Sequence, residues 1–231
     1  MRKIYFIIAA AAMFFTIDAS AQLGVGAGYV HGTTTARFQD DTESDGLDGF
    51  YIEAEYGLDI VERGWGSLAL RPGLRFTYMG ESDSDREMGI TVREAKNETY
   101  LELPVNVRYS YDFSTVSLYA FAGPVFSLGL TSVSKTSMKG ENIDYVVKYH
   151  NYTGKTVTKG DGSSSTTDPD SYTDYGRFDV KLGLGVGVEF MESFNVKLGY
   201  NIGLLNRYTG DQLDGYKLHT GVFYVGLGFS F

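Results

Sequence analysis

Cysteine is absent from the 231 residues, proline occurs four times and tryptophan once. Without cysteine there are no disulfides, so the fold must hold by packing and hydrogen bonding alone. Basic residues are outnumbered, 20 Lys and Arg against 29 Asp and Glu, for a net charge of −9. So acidic a balance argues against nucleic acid as a partner, because phosphate backbones need a basic face. Beyond residue 21 no run approaches the roughly 18 consecutive apolar residues of a helical membrane span. What is plentiful is glycine (29 residues), tyrosine (18) and phenylalanine (15). Glycine and aromatics without cysteine point to an all-β protein.

The first 21 residues read as a secretory signal. Arg2 and Lys3 form a basic start, 4–15 is an apolar run, and Ala19-Ser20-Ala21 is a small-x-small cleavage site before Gln22. The apolar run is too short to stay behind as an anchor helix.

The rest of the chain alternates with a period of two. In 178–190 Phe178, Val180, Leu182, Leu184, Val186, Val188 and Phe190 share one parity, and Asp179, Lys181, Gly183, Gly185, Gly187 and Glu189 share the other. Such a strand has one apolar face and one face of charges and glycines. The pattern recurs at 23–29, 50–58, 68–78, 101–111, 194–204 and 223–231. The 116–130 segment is less clean, since Tyr119, Phe121 and Val125 crowd the face opposite Leu118, Phe126 and Leu128.

Eight such strands have the length that crosses a bilayer at a tilt. The connections sort by length: 59–66, 112–115 and 191–193 are short, whereas 39–49, 79–98, 131–176 and 205–216 are long and polar. This layout predicts an eight-stranded, antiparallel, up-and-down transmembrane β-barrel, with termini at the short-turn, periplasmic end. Glycine at 183, 185 and 187 is then spacing in a narrow lumen, leaving room for long charged residues from other strands. A phosphate-cradling loop is excluded because no helix follows these glycines.

Several stretches carry a family resemblance. Leu70-Arg71-Pro72-Gly73-Leu74, Tyr100-Leu101-Glu102-Leu103-Pro104, Ala122-Gly123-Pro124, Asp179 with the three glycines and Glu189, and Tyr200-Asn201-Ile202-Gly203-Leu204 resemble the outer-membrane β-barrel family of Bacteroidota, the porin-family or PorT-like proteins. The resemblance implies an outer-membrane location. It also implies that Phe229 and Phe231, in an aromatic-terminated last strand, serve as the signal for the barrel-insertion machinery.

Inward parity collects Glu53, Glu55, Glu102, Asp179 and Glu189 against Arg71, Arg75, Arg108, Lys181 and Lys197. Buried charges must be paired, so these ten residues predict an ion-pair network plugging the lumen, in preference to a gated ion path. His31 and His219 share the lipid-facing parity near the ends of neighbouring strands, where a lipid-modifying enzyme could use a base, but no serine adjoins either. Asp41-Thr42-Glu43-Ser44-Asp45-Gly46 starts like a calcium loop, yet its twelfth position would be Ile52. Asp168-Pro169-Asp170 fits no better, and solvated acidic loops explain both. Trp65, in the first short turn, reads as an interfacial anchor.

Within 131–176, residues 145–152 and 155–159 flank Thr153-Gly154 as a hairpin, and 160–174 is a turn-rich tail. Tyr145, Tyr149, Tyr152 and Lys155 are the candidate recognition residues there, since loops on rigid scaffolds carry function. No catalytic residue, metal or cofactor is expected. The expected partners are outer-membrane lipids, the insertion machinery and a surface or secretion partner protein. The favoured role is structural or surface interaction; a type IX secretion component, a narrow solute pore and a lipid-modifying enzyme are the alternatives.

Overall fold

The computed structural model describes residues 22–39, 41–64, 66–87, 89–141, 143–160, 162–168, 175–191, 193–210 and 215–231. The expected signal segment, 1–21, and Trp65 lie outside the described residues. Among the described residues eleven strands follow in chain order: β1 (Gln22–Phe38), β2 (Asp41–Arg63), β3 (Gly66–Glu87), β4 (Ile90–Phe113), β5 (Val116–Gly140), β6 (Ile143–His150), β7 (Lys155–Gly160), β8 (Ser163–Thr167), β9 (Phe178–Phe190), β10 (Phe194–Gly203) and β11 (Lys217–Ser230). Eight of them close into a ring of antiparallel neighbours. Going round it, β1, β2, β3, β4, β5, β9, β10 and β11 pair in turn, and β11 returns to β1. Closure leaves the ring no free edge, the condition for burying a sheet in lipid. The all-β, eight-stranded barrel read from the alternation is the fold.

Its polarity is that of a membrane barrel. Arg75, Glu102, Asp179 and Lys181 are each 2% exposed, whereas Phe50, Ile52, Leu74, Val186 and Leu227 are 51–67% exposed. The ring strands show apolar side chains outward, and all but β1, whose buried positions are glycines and Val30, bury polar ones, which is stable only with hydrocarbon outside. The uncertain 116–130 segment resolves the same way: Tyr119, Phe121 and Val125 are buried in the lumen and Leu118, Phe126 and Leu128 are exposed.

That facing corrects one expectation. A Cβ at Gly185 would stand 2.4 Å from the Phe121 ring, and one at Gly187 would stand 2.2 Å from the Tyr119 ring. Gly185 and Gly187 of β9 therefore make room for aromatics of the adjacent β5, Gly183 stands against Asn201 and Val125, and the long charged side chains are not what fills this space. Neighbouring strands face their side chains at the same level, so a bulky ring is most easily accommodated by the strand beside it.

A second correction concerns the long connections. Residues 41–49 belong to β2, 79–87 to β3, 90–98 to β4 and 131–140 to β5. A paired hairpin satisfies its backbone donors and acceptors only by continuing, and that pairing prevails over the low strand propensity of the acid-rich segments 41–49 and 79–87. The tail expected to be turn-rich likewise contains β8.

Near Thr99 the β4–β5 register shifts: Thr99 faces Thr131 but Tyr100 faces Gly129, leaving Leu130 as the extra residue. A bulge moves the following side chains to the opposite face. Ser132 is accordingly buried at 2% although the even-numbered residues before it face out. Beyond the bulge β6 replaces β9 as the neighbour of β5, then β7 and β8 follow. The result is a blade of sheet, β3 to β8, standing beyond the barrel. Among the described residues, the far edge of β8 has no strand partner.

Candidate functional site: the lumen and its mouth

The lumen is filled in layers. At mid-height Glu53 accepts from Arg75 Nε (3.0 Å) and Nη2 (2.8 Å), and it also pairs with Lys197. Lys197 reaches Glu55 as well, at 3.2 Å. The Arg75 guanidinium lies 4.7 Å from the Tyr51 ring centroid and 4.2 Å from that of Tyr224, so two aromatic faces cover what the carboxylate leaves bare. Toward the short-turn end Arg108 pairs with Glu189 and lies 3.8 Å over the Tyr119 ring. Toward the other end Lys181 donates to Glu102 at 2.8 Å, and Thr77 donates to the same carboxylate at 3.0 Å.

Eight of the ten expected network residues thus meet in three separate ion-pair clusters. Arg71 and Asp179 are held by neutral groups instead. Arg71 donates to Gln22 Oε1 at 3.1 Å. Asp179 accepts from the Thr220 hydroxyl (2.9 Å) and the Leu205 backbone N–H (3.4 Å), tying the end of β10 to β11. The aromatic layer of Tyr51, Tyr119, Phe121 and Tyr224 is the part that charge counting overlooks.

The mouth is closed by residues to which the sequence assigned no place in the lumen. Arg207, in the segment after β10, folds inward and is 1% exposed. It donates through Nη1 to the Tyr100 hydroxyl and through Nη2 to the Tyr152 hydroxyl, both at 2.9 Å, and through Nε to the Gly176 carbonyl at 3.3 Å. Its guanidinium lies 4.4 Å from the Tyr175 ring centroid. Tyr100 donates in turn to Glu98, which also accepts from Ser132 (3.1 Å) and Tyr175 (3.2 Å). Burial, and then the nearby Glu98 charge, raise the Tyr175 pKa, so its hydroxyl keeps its proton and stays a donor. Burial opposes the Arg207 charge, but the surrounding tyrosines and Glu98 outweigh it and raise its pKa.

Glu98 and Tyr100 share the inward parity of Glu102, so extending the β4 pattern by four residues would have found them. Arg207 follows no period and carried no signal.

Of the candidate recognition residues, Tyr145 and Tyr149 are each 41% exposed. Lys155 pairs with Asp168 at 3.6 Å. Tyr152 is not displayed: it is buried, with its hydroxyl where a Cβ at Gly129 would lie, 1.9 Å away. Its inward turn is possible because Gly129 has no side chain. Gly129→Ala is therefore expected to push Tyr152 out and destabilise the mouth by about 1–3 kcal/mol. Trypsin cleavage at Lys148 and Lys155 should accelerate; unchanged cleavage would show that Tyr152 does not anchor the hairpin.

Phe231 is 72% exposed and its N–H donates to the Leu23 carbonyl at 2.9 Å, beside Phe229. His31 faces Phe223 and His219 faces Thr35, so the two histidines lie four register positions apart. His31 Nδ1 is 2.7 Å from Asp48 Oδ1, and Tyr29 donates to the same oxygen. The segment 41–46 is strand, which is incompatible with a calcium loop.

A closed ring with a polar, filled lumen and an apolar exterior defines an outer-membrane type of barrel. The family profile for the outer membrane protein beta-barrel domain matches residues 7–231, and the chain belongs to that family. No match singles out the PorT-like branch, and no curated protein matches. Similar solved structures include Ail, the attachment invasion locus protein of Yersinia pestis, in complex with the heparin analogue sucrose octasulfate. It is 13% identical, with 92% of this chain and 100% of that one covered and a TM-score of 0.38. Neisserial surface protein A is 14% identical over 92% and 100%, at 0.44. The outer membrane enzyme PagL is 8% identical over 89% and 97%, also at 0.44. Likenesses this distant say nothing about what this chain does.

Proposed function

We propose that this outer-membrane protein is a non-enzymatic, non-conducting barrel that displays the β3–β8 blade at the cell surface for contact with a partner. The short turns and both termini face the periplasm in this reading, following the usual placement of short turns in such barrels. One observation carries it: β3, β4 and β5 run on past the apolar belt as one continuous sheet, extended by β6, β7 and β8, while the lumen below is filled. An unpaired strand edge accepts an extended segment by main-chain pairing. Tyr145 and Tyr149, exposed on one face of β6, are the side chains best placed to contact what binds there.

The three ion-pair clusters and the Arg207 lid serve in this proposal as a plug. The native barrel in planar bilayers is expected to give no step-like conductance, and regular steps would sink the plug. Excision of residues 143–168 should abolish binding of a surface partner by whole cells while the barrel still folds. Undiminished binding by such cells would remove the display role.

A further inference from the structure

Beyond the apolar belt the charged residues are sorted by face. In the blade the face continuous with the belt carries Arg93, Lys135, Lys139, Lys148, Lys155 and Lys159, and its strands hold one acid there, Asp144. The opposite face carries Glu81, Asp83, Asp85 and Glu94, with one cation, Lys96, which is neutralised there by Asp45 and Glu98. The sorting follows from register. Lys135 faces Lys148 directly, Lys139 faces Asp144, and Val146 faces Lys159, so these side chains project from one side of the sheet. The Arg93 Nε donates to Ser82 Oγ at 2.8 Å across β3 and β4, which places Arg93 on that same side. The β1–β2 hairpin follows the rule in part: Glu43 and Asp45 lie on the face of buried Leu47 and Val30, and Arg37 faces out opposite Lys217 of β11, while Asp48 is an outward acid held by Tyr29 and His31.

In a chain of net charge −9, such a face requires a reason. Like charges directly opposite on paired strands repel; the blade face contains one such pair, Lys135 with Lys148, and the outer side of β1 and β11 contains another, Arg37 with Lys217. Among the described residues Lys135, Lys139, Lys148 and Lys159 make no ion pair, and Lys155 alone has one, with exposed Asp168. Among the described residues no ion pair offsets the repulsion of either pair.

The location identifies what does. Leu130 is the last belt residue of β5, and Lys135 lies five residues further along the same strand, about 16 Å at strand rise. With the usual tilt of a barrel strand that is about 12 Å above the belt. Lys155 sits lower, beside His150, which faces Val133, three residues past Leu130. The cations therefore begin at headgroup level and rise above it, on the side of the sheet that the lipid touches. We propose that this face is a binding surface for the phosphates of lipid headgroups surrounding the barrel. Cations near a membrane surface attract anionic lipid, and here the lipid phosphates would neutralise the two like-charge pairs. The inference rests on the barrel spanning the membrane and is independent of the display role and of which way the barrel faces.

The test uses the full folded barrel in phosphatidylcholine vesicles containing a small fraction of lipid A, extracted in mild detergent, with retained lipid measured by mass spectrometry. Retention of lipid A at least tenfold above its mole fraction is expected, falling toward the mole fraction at high salt. Replacing Lys135, Lys139, Lys148 and Lys159 by Gln should remove most of the enrichment, roughly fivefold for each cation near the surface. Heat-modifiable mobility would show that this variant still folds, and the salt dependence of the native barrel tests the idea without any variant. Retention at the mole fraction, or enrichment unchanged in the variant and in salt, overturns the proposal. Binding of soluble heparin without lipid A enrichment overturns it too, by assigning the face to a soluble polyanion.

Discussion

Glu53→Ala is expected to cost the barrel about 3–5 kcal/mol, the usual penalty for removing one partner of a buried ion pair. Glu53 lies between Arg75 and Lys197. Without it Lys197 keeps Glu55, but Arg75 loses its hydrogen-bonded carboxylate and keeps the Tyr51 and Tyr224 faces and Glu102 on the neighbouring strand, already bound to Lys181. The loss should appear as a lower urea midpoint for folding into vesicles. The comparison that isolates the cause is Glu53→Leu with Arg75→Leu, which removes both charges. A buried pair replaced by apolar residues is often tolerated, so the double variant should be the more stable of the two. If it proves as unstable as Glu53→Ala, the cost lies in packing, and the ion-pair account of this layer is wrong.

Arg207→Ala should have the second largest effect, and in a different place. The side chain donates to two tyrosine hydroxyls and a carbonyl and stacks on Tyr175, all within the mouth. Hydrogen bonds from a charged group are worth about 1.5–3 kcal/mol each. Because the segment that carries them can swing outward and hydrate, the expected loss is of the order of one or two such bonds. The change should be local. Hydrogen exchange at the Gly176 amide, which donates to the Arg207 carbonyl at 2.7 Å, should quicken while the amides of β9 and β10 keep their protection. Arg207→Lys should rescue little, since an ammonium cannot reach both hydroxyls in the geometry of a planar fork. Uniform loss of protection around the ring would mean that Arg207 is part of barrel stability and not a lid.

The two effects differ in how visible their causes were in the chain. Glu53, Arg75 and Lys197 fall on the inward parity of their strands, and an eight-stranded ring has too narrow a lumen to leave such groups unpaired. Their meeting was foreseeable as a set. Which acid meets which base was not, because Glu53 and Lys197 lie far apart in sequence and are joined only across the closed ring. Arg207 obeys no alternation, since it sits in a connection where no pleat dictates the facing.

Parity also failed where the chain interrupts it. The extra residue at Leu130 turned Ser132 inward and set Lys135 on the outer face, although nothing about Leu130 itself marks a bulge. Tyr152 misled for a related reason: an exposed hairpin and a buried anchor have the same composition, and Gly129 decided between them by leaving a vacancy on another strand. The lengths of the strands were underestimated because composition distinguishes apolar from polar segments, whereas pairing continues wherever two backbones stay in register.

By itself, then, the sequence determined the class of fold, the number of ring strands and, outside 116–130, the face on which the side chains of the belt would lie. Those follow from a period of two read against hydrocarbon, a local rule that needs no knowledge of neighbours. Only the tertiary structure decided the ion-pair partners, the Arg207 lid, the blade and the sorting of cations onto its outer face. Each of these depends on register between strands distant in sequence, and a shift of one residue sends every side chain to the other face.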